Sequence, residues 1–226
     1  MFPKRINIGC GHDRRDGYLN IDSDPACAPD FLVRDNDLST LPQAYFEQAI
    51  AMDVLEHIPR AFMMGALFDW AGLLILGGAI HVETSNVFGI IDVMRRGGDF
   101  ETVHNWKRCL FGNQVHPGDW HYNGFTEQTL PVYLTAVGLE PTDVATTNDW
   151  LLNVQAVKAV DWSDLMAIDD HGAFVQQMFP ALLNREAEEW RLNGSQSAAN
   201  SPERWAEIKA IVTSEERLYM LGAHST

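Results

Sequence analysis

The residue types best suited to chemistry near the start of the chain form a glycine-containing turn. Residues 6–8 are typical of a strand, and Gly9, Cys10 and Gly11 follow it directly. Glycine lets the backbone approach a ligand closely where a Cβ atom would clash. Asp22 ends the next apolar run, eleven positions after Gly11, and a carboxylate at a second strand tip can accept the two hydroxyl protons of a ribose. Together these features predict a nucleoside site.

The short distance from Gly11 to Asp22 discriminates between two nucleotide ligands. A dinucleotide site needs a full helix after the glycines, because the N-terminus of that helix faces the pyrophosphate. Eleven positions hardly hold both a helix and a strand. S-adenosylmethionine has no pyrophosphate, and a glycine loop with acidic side chains can hold its amino acid end. The spacing therefore favours S-adenosylmethionine over NAD, and a methyltransferase over a nicotinamide-dependent oxidoreductase.

A sheet is needed to position these residues, and the pattern of apolar runs predicts one. Short apolar runs alternate with helical stretches over the first 160 residues, which is typical of a mostly parallel sheet with helices on both faces. We therefore predict a Rossmann-like α/β fold with seven strands, the last two forming a hairpin. The predicted strands are residues 5–8, 19–22, 31–34, 48–52, 79–83, 139–145 and 151–160.

The chain is predicted to have two parts, a main domain over residues 1–160 and a helical C-terminal extension over residues 161–226. The extension contains helical patterns at 162–193 and 202–222, separated by a polar linker at 194–201. Its apolar stripe is expected to pack on the main domain, with a homodimer contact as the alternative. Residues 99–126, rich in aromatics and histidine, are expected to be largely irregular, and long irregular stretches often carry function.

Composition excludes several classes of partner. The formal net charge is -15, from 31 acidic and 16 basic residues, which disfavours binding to nucleic acid or to anionic membranes. Three widely separated cysteines without C-x-x-C spacing indicate neither a zinc site nor a disulfide framework. With no apolar run near the N-terminus long enough for a secretory signal, a cytoplasmic location is expected.

One apolar segment, residues 61–82, is long enough to cross a bilayer. Asp69 lies in its middle and Gly77-Gly78 interrupts it. A buried helix followed by a buried strand explains the segment more simply, so no membrane span is expected.

Four motifs occur in order in the first quarter of the chain. They are N-x-G-C-G at 7–11, G-Y-x-N-x-D at 17–22, D-L-x-x-L-P at 37–42 and L-E-H-I at 55–58. In these motifs the sequence resembles the class I S-adenosylmethionine-dependent methyltransferases, and the resemblance covers roughly residues 4–160 in layout. Four ordered motifs are far more specific than any one of them.

The resemblance implies a set of residues that bind the cofactor. Gly9 and Gly11 would line the methionine moiety, and Asp22 would hold the ribose. The complete implied set is Asn7, Gly9, Cys10, Gly11, Asp22, Asp37, Leu38 and Asp53.

The resemblance leaves two of these roles open. Asp37 and the Leu38 backbone would meet the adenine, but Asp35 competes with Asp37 because both follow the third strand. Asp53 follows the fourth strand, near the point where the strand order reverses. It could face the cofactor's amino end or the acceptor.

Two segments offer residues for acid–base chemistry. Glu56 and His57 either form a helix entry and fix a loop or contact the substrate directly. The segment from Phe111 to Thr126 resembles one that covers the cofactor in the family. An in-line methyl transfer needs alignment and, for a hydroxyl or protonated amine, a base, and a histidine near its reference pKa suits that task.

His121 is the first candidate for this base, followed by His116, Asp119 and then His104. Alternatively, these side chains only pin a loop. The same four could be imagined around zinc or manganese, but their spacing fits no helix-face motif, and no metal is predicted. The tryptophans at 106, 120 and 150 either stack on an acceptor or pack in the core.

The sequence therefore predicts an S-adenosylmethionine-dependent methyltransferase that acts on oxygen or nitrogen of a small molecule, such as a sugar or a secondary-metabolite intermediate. The first alternative is a non-catalytic protein that binds S-adenosylmethionine as a sensor or partner subunit. An NAD-dependent oxidoreductase is the second.

Overall fold

A computed structural model describes residues 2–34, 37–193 and 196–223 of the chain. Within these ranges, seven strands form one sheet in the order β3-β2-β1-β4-β5-β7-β6. Neighbouring strands from β3 to β5 are parallel, whereas β7 runs antiparallel to both β5 and β6. The strands are β1 Arg5–Ile8, β2 Leu19–Asp22, β3 Phe31–Leu32, β4 Phe46–Met52, β5 Leu74–Ser85, β6 Leu139–Thr147 and β7 Leu151–Lys158.

The strands form where apolar residues are buried in succession. In β1 the last three residues are buried, and in β2 the first three are, as expected for strands in the interior of a parallel sheet. Ile6 pairs with Leu19 on one side and with Ala49 on the other. The predicted seven-stranded, mostly parallel α/β fold with a helical C-terminal region is confirmed. Strands 5–8 and 19–22 have the predicted bounds, and the third strand is shorter than predicted.

Helices fill the connections and form the C-terminal region. They are α1 Arg60–Leu73, α2 Val87–Arg95, α3 Phe100–Phe111, α4 Thr129–Ala136, α5 Ser163–Met166, α6 His171–Leu183, α7 Glu189–Leu192, α8 Pro202–Val212 and α9 Glu215–Gly222.

The apolar segment 61–82 contains most of α1 and part of β5, as predicted. No helix in the described ranges is long and apolar enough to cross a membrane.

The prediction that residues 99–126 are largely irregular was wrong for their first half, which is α3. Its apolar residues recur at the spacing of an amphipathic helix, but none of its residues is buried. The Asp99 side chain caps it by accepting a hydrogen bond from the Thr102 N–H at 2.8 Å.

The C-terminal helices share the core of the sheet domain. Phe174, Phe179 and Ile208 are buried in one continuous cluster with residues of the strands, so the apolar stripe packs inward as expected. The predicted helix over 162–193 is instead three helices, and α6 ends where Asn184 adopts a left-handed conformation with φ 51°. Residues 194 and 195 of the predicted linker lie outside the described residues. The division at residue 160 stays a prediction.

Candidate functional site

The turn after β1 and the acid at the end of β2 are joined directly. Gly9 and Gly11 have φ of 63° and 49°, values that L side chains rarely adopt. The Gly11 N–H donates to Asp22 Oδ2 at 2.7 Å, and Asp22 Oδ1 accepts from the Asp24 N–H at 2.8 Å. The structure thus brings together the three residues on which the nucleoside prediction rests.

Asn7 and Cys10 lie beneath this turn. Asn7 is buried, and its side-chain amide donates to Asn20 Oδ1 at 3.1 Å and to the Asp13 carbonyl at 2.8 Å. The Cys10 N–H donates to the Ile21 carbonyl. Burial, followed by the charge of Asp22, raises the pKa of the Cys10 thiol to about 11. Both residues therefore hold the shape of the turn, and the cysteine stays a thiol at neutral pH.

A cavity of about 1810 Å³ opens at the carboxyl ends of the parallel strands, where open α/β sheets bind ligands. The lining residues from strand ends and the loops that follow them include Gly9, Gly11, Asp22, Leu38, Asp53 and His57.

Asp37 does not line this cavity. It is exposed, and its carboxylate accepts a hydrogen bond from the Ser39 N–H at 2.8 Å. Hydrogen bonds from Ser39 lower the pKa of the Asp37 carboxyl. Asp35, the alternative adenine residue, lies outside the described residues.

Asp53 lies at the reversal of strand order between β1 and β4. Its φ is 52°, and its N–H donates to the Glu83 carbonyl at 3.0 Å. Burial raises the pKa of its carboxyl, while the charges of His57 and His121 oppose that rise. A non-glycine residue in this conformation is strained, and such strain is often found at functional sites.

Glu56 holds the segment around Tyr122 in place beside the site. Its side chain is 1% exposed and accepts a hydrogen bond from Thr84 Oγ1 at 2.8 Å. Burial raises the pKa of this carboxyl to about 7. Its backbone carbonyl accepts from the N–H groups of Tyr122 and Asn123 at 2.8 and 3.3 Å. The residue thus holds the segment around 122 against the end of β4.

Two histidines from distant parts of the chain meet beside Asp53. The rings of His57 and His121 are 4.8 Å apart and nearly perpendicular, at 80°. Nδ1 of His57 lies 3.1 Å from the Trp120 carbonyl, and Nδ1 of His121 lies 3.0 Å from the Cys109 carbonyl. Since a carbonyl only accepts, Nδ1 carries the proton in both rings, and in the neutral form each Nε2 keeps a lone pair.

Burial lowers the pKa of His121, and the charge of His57 lowers it further. His121 is therefore neutral at pH 7 and can accept a proton. Of the two histidines, His57 lines the cavity. The sequence motif L-E-H-I marked His57, but nothing in the sequence indicated its contact with a histidine 64 positions later.

The other predicted catalytic residues lie on α3 or in the loop that follows it, and their catalytic role stays a prediction. His116 is exposed and lines the cavity. Asp119 accepts hydrogen bonds from Asn113 Nδ2 at 3.2 Å and from the Val115 N–H at 3.4 Å, so it orders the loop that carries His116. His104 stacks on Phe100 at 5.3 Å, on α3.

Over 2–34, 37–193 and 196–223, no group of three or more His, Cys, Asp or Glu side chains is arranged to hold a metal ion. The indoles of Trp106 and Trp150 pack against each other edge to face, so this pair is engaged in packing.

Comparison with known proteins supports the fold. No family model and no curated protein matches the sequence. Among solved structures, a methyltransferase described as S-adenosylmethionine-dependent, from Methanosarcina mazei, matches with a TM-score of 0.51 and 14% identity, over 70% of this chain and 92% of that chain.

The methyltransferase CalH in complex with S-adenosylhomocysteine matches with a TM-score of 0.50 and 13% identity, over 70% of this chain and 52% of that chain. A didemethyltoxoflavin N1-methyltransferase of Burkholderia thailandensis has a TM-score of 0.47 and 17% identity, over 69% and 71% of the two chains. The two matches with TM-scores of 0.51 and 0.50 show that this chain has a Rossmann-like fold of the kind found in those methyltransferases.

Proposed function

We propose that this protein is an S-adenosylmethionine-dependent methyltransferase that methylates oxygen or nitrogen of a small molecule. The observation that carries the proposal is the hydrogen bond of 2.7 Å between the Gly11 N–H and Asp22 Oδ2, two residues that line the cavity. This hydrogen bond links the glycine turn, which leaves room for the amino acid end of the cofactor, to Asp22, whose carboxylate is suited to bind the ribose.

The residues of this site fit S-adenosylmethionine. An ionised carboxylate has about four lone-pair positions, and Asp22 uses two of them for backbone N–H groups, which leaves acceptors for the two ribose hydroxyls. The open space beside Gly11 suits the methionine moiety. Asp53 lines the cavity, and burial raises the pKa of its carboxyl, so a bound ammonium group would favour its ionised form. Leu38 offers an apolar contact for the adenine.

The cofactor supplies a methyl group on a sulfonium, which is a strong electrophile, so the protein's task is alignment and proton removal. We assign proton removal to His57, which lines the cavity and whose Nε2 keeps a lone pair when Nδ1 donates to the Trp120 carbonyl. His121 positions that ring through the edge contact of 4.8 Å. Nε2 would accept the acceptor's proton, while the methyl group would pass to the acceptor's oxygen or nitrogen and the electron pair of the broken S–CH3 bond would stay on the sulfur.

The size and charge of the site favour a small acceptor. Pockets for small molecules measure about 300–1,000 Å³, and this cavity, at about 1810 Å³, has room for a cofactor and an acceptor together. Beyond the cofactor residues its lining includes Phe62, Met63, Trp70 and Arg60. The net charge of -15 disfavours a nucleic acid as substrate.

Calorimetry with S-adenosylmethionine, S-adenosylhomocysteine and NAD tests the proposal. We expect both adenosyl compounds to bind and NAD not to bind. Asp22→Asn should weaken their binding about tenfold or more, because hydrogen bonds to a charged group contribute about 1.5–3 kcal/mol. Asp16→Asn, at an exposed position between β1 and β2, is the matched control and should bind as the native protein does. Tight binding of NAD alone would overturn the assignment.

A further inference from the structure

A second cavity, of about 840 Å³, lies between the sheet domain and the C-terminal helices. One wall comes from α1, the start of β5 and the end of β7, and the other from α5 and α8. Its principal side chains are Phe68, Leu76, Lys158, Trp162, Met166 and Trp205. Its volume is in the range of pockets that bind a single small molecule. Gly9, Gly11 and Asp22 line the first cavity and not this one.

Lys158 is the unusual residue of this cavity. It is 8% exposed, and its Nζ donates to the Leu74 carbonyl at 2.8 Å. A lysine ammonium has three N–H donors, and Leu74 O is the acceptor it reaches among the residues that the structure describes. Burial lowers the pKa of the Lys158 ammonium, and the charge of Asp161 only partly opposes this. Among the described residues Lys158 Nζ forms no ion pair, and the charge of Asp161 compensates the buried ammonium only in part.

The carboxylates that line this cavity already have hydrogen-bond or ion-pair partners. Asp161 accepts a hydrogen bond from the Ser163 N–H at 2.8 Å, and Asp37 accepts from the Ser39 N–H. Asp69 forms an ion pair with Lys209 Nζ at 2.6 Å. Lys209 is thereby neutralised, and Lys158 is the cation with unused donors in this part of the described structure.

We propose that this second cavity binds a small hydrophobic carboxylate, whose carboxylate accepts hydrogen bonds from Lys158 Nζ and whose apolar body lies against the Trp162, Trp205 and Phe68 side chains. A buried cation surrounded by apolar walls is stable when an anion with a matching apolar body fills the space. The two walls belong to the two predicted parts of the chain, and pockets for small molecules favour such boundaries.

The Asp69–Lys209 ion pair lies between this site and the first cavity, because both of its residues line both cavities. Leu38 also lines both cavities, so the two sites share a boundary, whereas Lys158, Trp162, Trp205 and Phe68 line only the second. The second site does not depend on the proposed methyl transfer.

Calorimetry with 4-phenylbutyrate tests the charge requirement, and 4-phenylbutyramide is the uncharged probe of the same shape. We expect 4-phenylbutyrate to bind, and the amide to bind about tenfold or more weakly. Lys158→Met should reduce the affinity for the acid to that for the amide. Lys107→Met, on the exposed face of α3, should leave it unchanged. Equal affinities for acid and amide, or no binding of either, would overturn the proposal.

A second variant covers the case in which Lys158→Met fails to fold. Ala206 lines the cavity from an exposed position of α8, so Ala206→Trp fills the opening without entering the core. It should abolish binding of the acid, whereas Ala210→Trp, one helical turn further and outside the lining, should not. The titrations are repeated with saturating S-adenosylhomocysteine. Retained affinity supports the second site, and loss of binding would place the acid in the first cavity and refute the proposal.

Discussion

At the scale of the residue, Gly9 and Gly11 have similar backbone conformations but different surroundings. A Cβ on Gly9 would lie 2.6 Å from Val54 Cγ2, whereas one on Gly11 would meet no atom of the described residues within 4 Å. The space beside Gly11 belongs to the first cavity. The first glycine is thus required for packing, and the second for keeping the ligand space open.

This difference predicts opposite effects of two alanine substitutions. Gly9→Ala should lower the free energy of unfolding by about 3 kcal/mol, from the left-handed backbone and the contact with Val54. Gly11→Ala should lower it by only about 1 kcal/mol but weaken S-adenosylhomocysteine binding about tenfold. Urea unfolding and calorimetry measure the two effects. If both variants are fully folded, and Gly9→Ala binds S-adenosylhomocysteine weakly while Gly11→Ala binds it as the native protein does, the roles assigned to the two glycines are wrong.

The raised pKa of the Glu56 carboxyl leads us to expect that stability depends on pH. Its pKa is about 7 in the folded protein, against an ordinary value of 4.5, so between these values the folded state binds more protons than the unfolded state. Stability is therefore lost as the pH rises from about 4.5 to about 7. Glu56→Gln keeps an acceptor for Thr84 Oγ1 and cannot ionise, so it should gain about 3 kcal/mol relative to the native protein over this range.

Urea unfolding between pH 4.5 and 8 measures this difference. Glu47→Gln, at an exposed position of β4, is the control and should follow the native protein at every pH. A constant difference between Glu56→Gln and the native protein across the range would show that Glu56 does not titrate there.

The residue scale also shows the limit of what the sequence predicts about the site. The contact between Gly11 and Asp22 was predictable, because both follow strands that are adjacent in a parallel sheet. The contact between His57 and His121 was not, because it depends on how the loop after α3 returns to the end of β4. The sequence motif assigns Asp37 to the adenine but gives no sign that its carboxylate accepts a hydrogen bond from the Ser39 N–H, and the assignment stays a prediction.

At the scale of the element, the sequence analysis predicted the buried strands but missed the exposed helix α3. β1 and β2 match their predicted bounds because short apolar runs end where polar residues begin. α3 has no buried residue, but its apolar residues recur at the spacing of an amphipathic helix, and its N-cap Asp99 was a second local indication. The end of α6 at Asn184 was also missed. It depends on a left-handed backbone conformation, which Asn tolerates but does not require.

The loop after α3 depends on one glycine. Gly112 has φ 75°, and a Cβ there would collide with the Asp119 carbonyl oxygen. Gly112→Ala should therefore displace residues 113–121, and amide exchange there should accelerate about tenfold or more, since about 1.4 kcal/mol changes an equilibrium tenfold. Gly97→Ala, with φ 81° and no described atom within 4 Å of its Cβ, is the control. If the amides of residues 113–121 exchange at the same rate in both variants, the loop does not depend on Gly112.

At the scale of the whole molecule, the C-terminal helices and the sheet share one core. Leu134, Leu139, Phe174 and Phe179 belong to a single cluster of buried side chains. A common core favours cooperative unfolding of both parts. The sequence predicted the packing of the C-terminal stripe, but the buried polar contacts that accompany it depend on the arrangement of three separate helices.

Arg217 is the residue that ties these parts together. It is 7% exposed, its Nε donates to the Ala136 carbonyl at 2.9 Å, and its Nη1 donates to the Leu182 carbonyl. Arg217→Met leaves both carbonyls without this donor and should lower the free energy of unfolding by about 3 kcal/mol. Arg191→Met, which removes an ion pair at a partly exposed position, should lower it by less than about 1 kcal/mol.

Because the core is continuous, Arg217→Met should shift the single unfolding transition of the protein and should not create a second one. Native-state amide exchange of β1 and of α8 should therefore increase by the same free energy, although Arg217 belongs to α9 and touches neither element through these hydrogen bonds. Faster exchange confined to α8 and α9, with β1 unchanged, would show instead that the C-terminal helices unfold on their own. In that case the boundary predicted near residue 160 would be one between independent folding units.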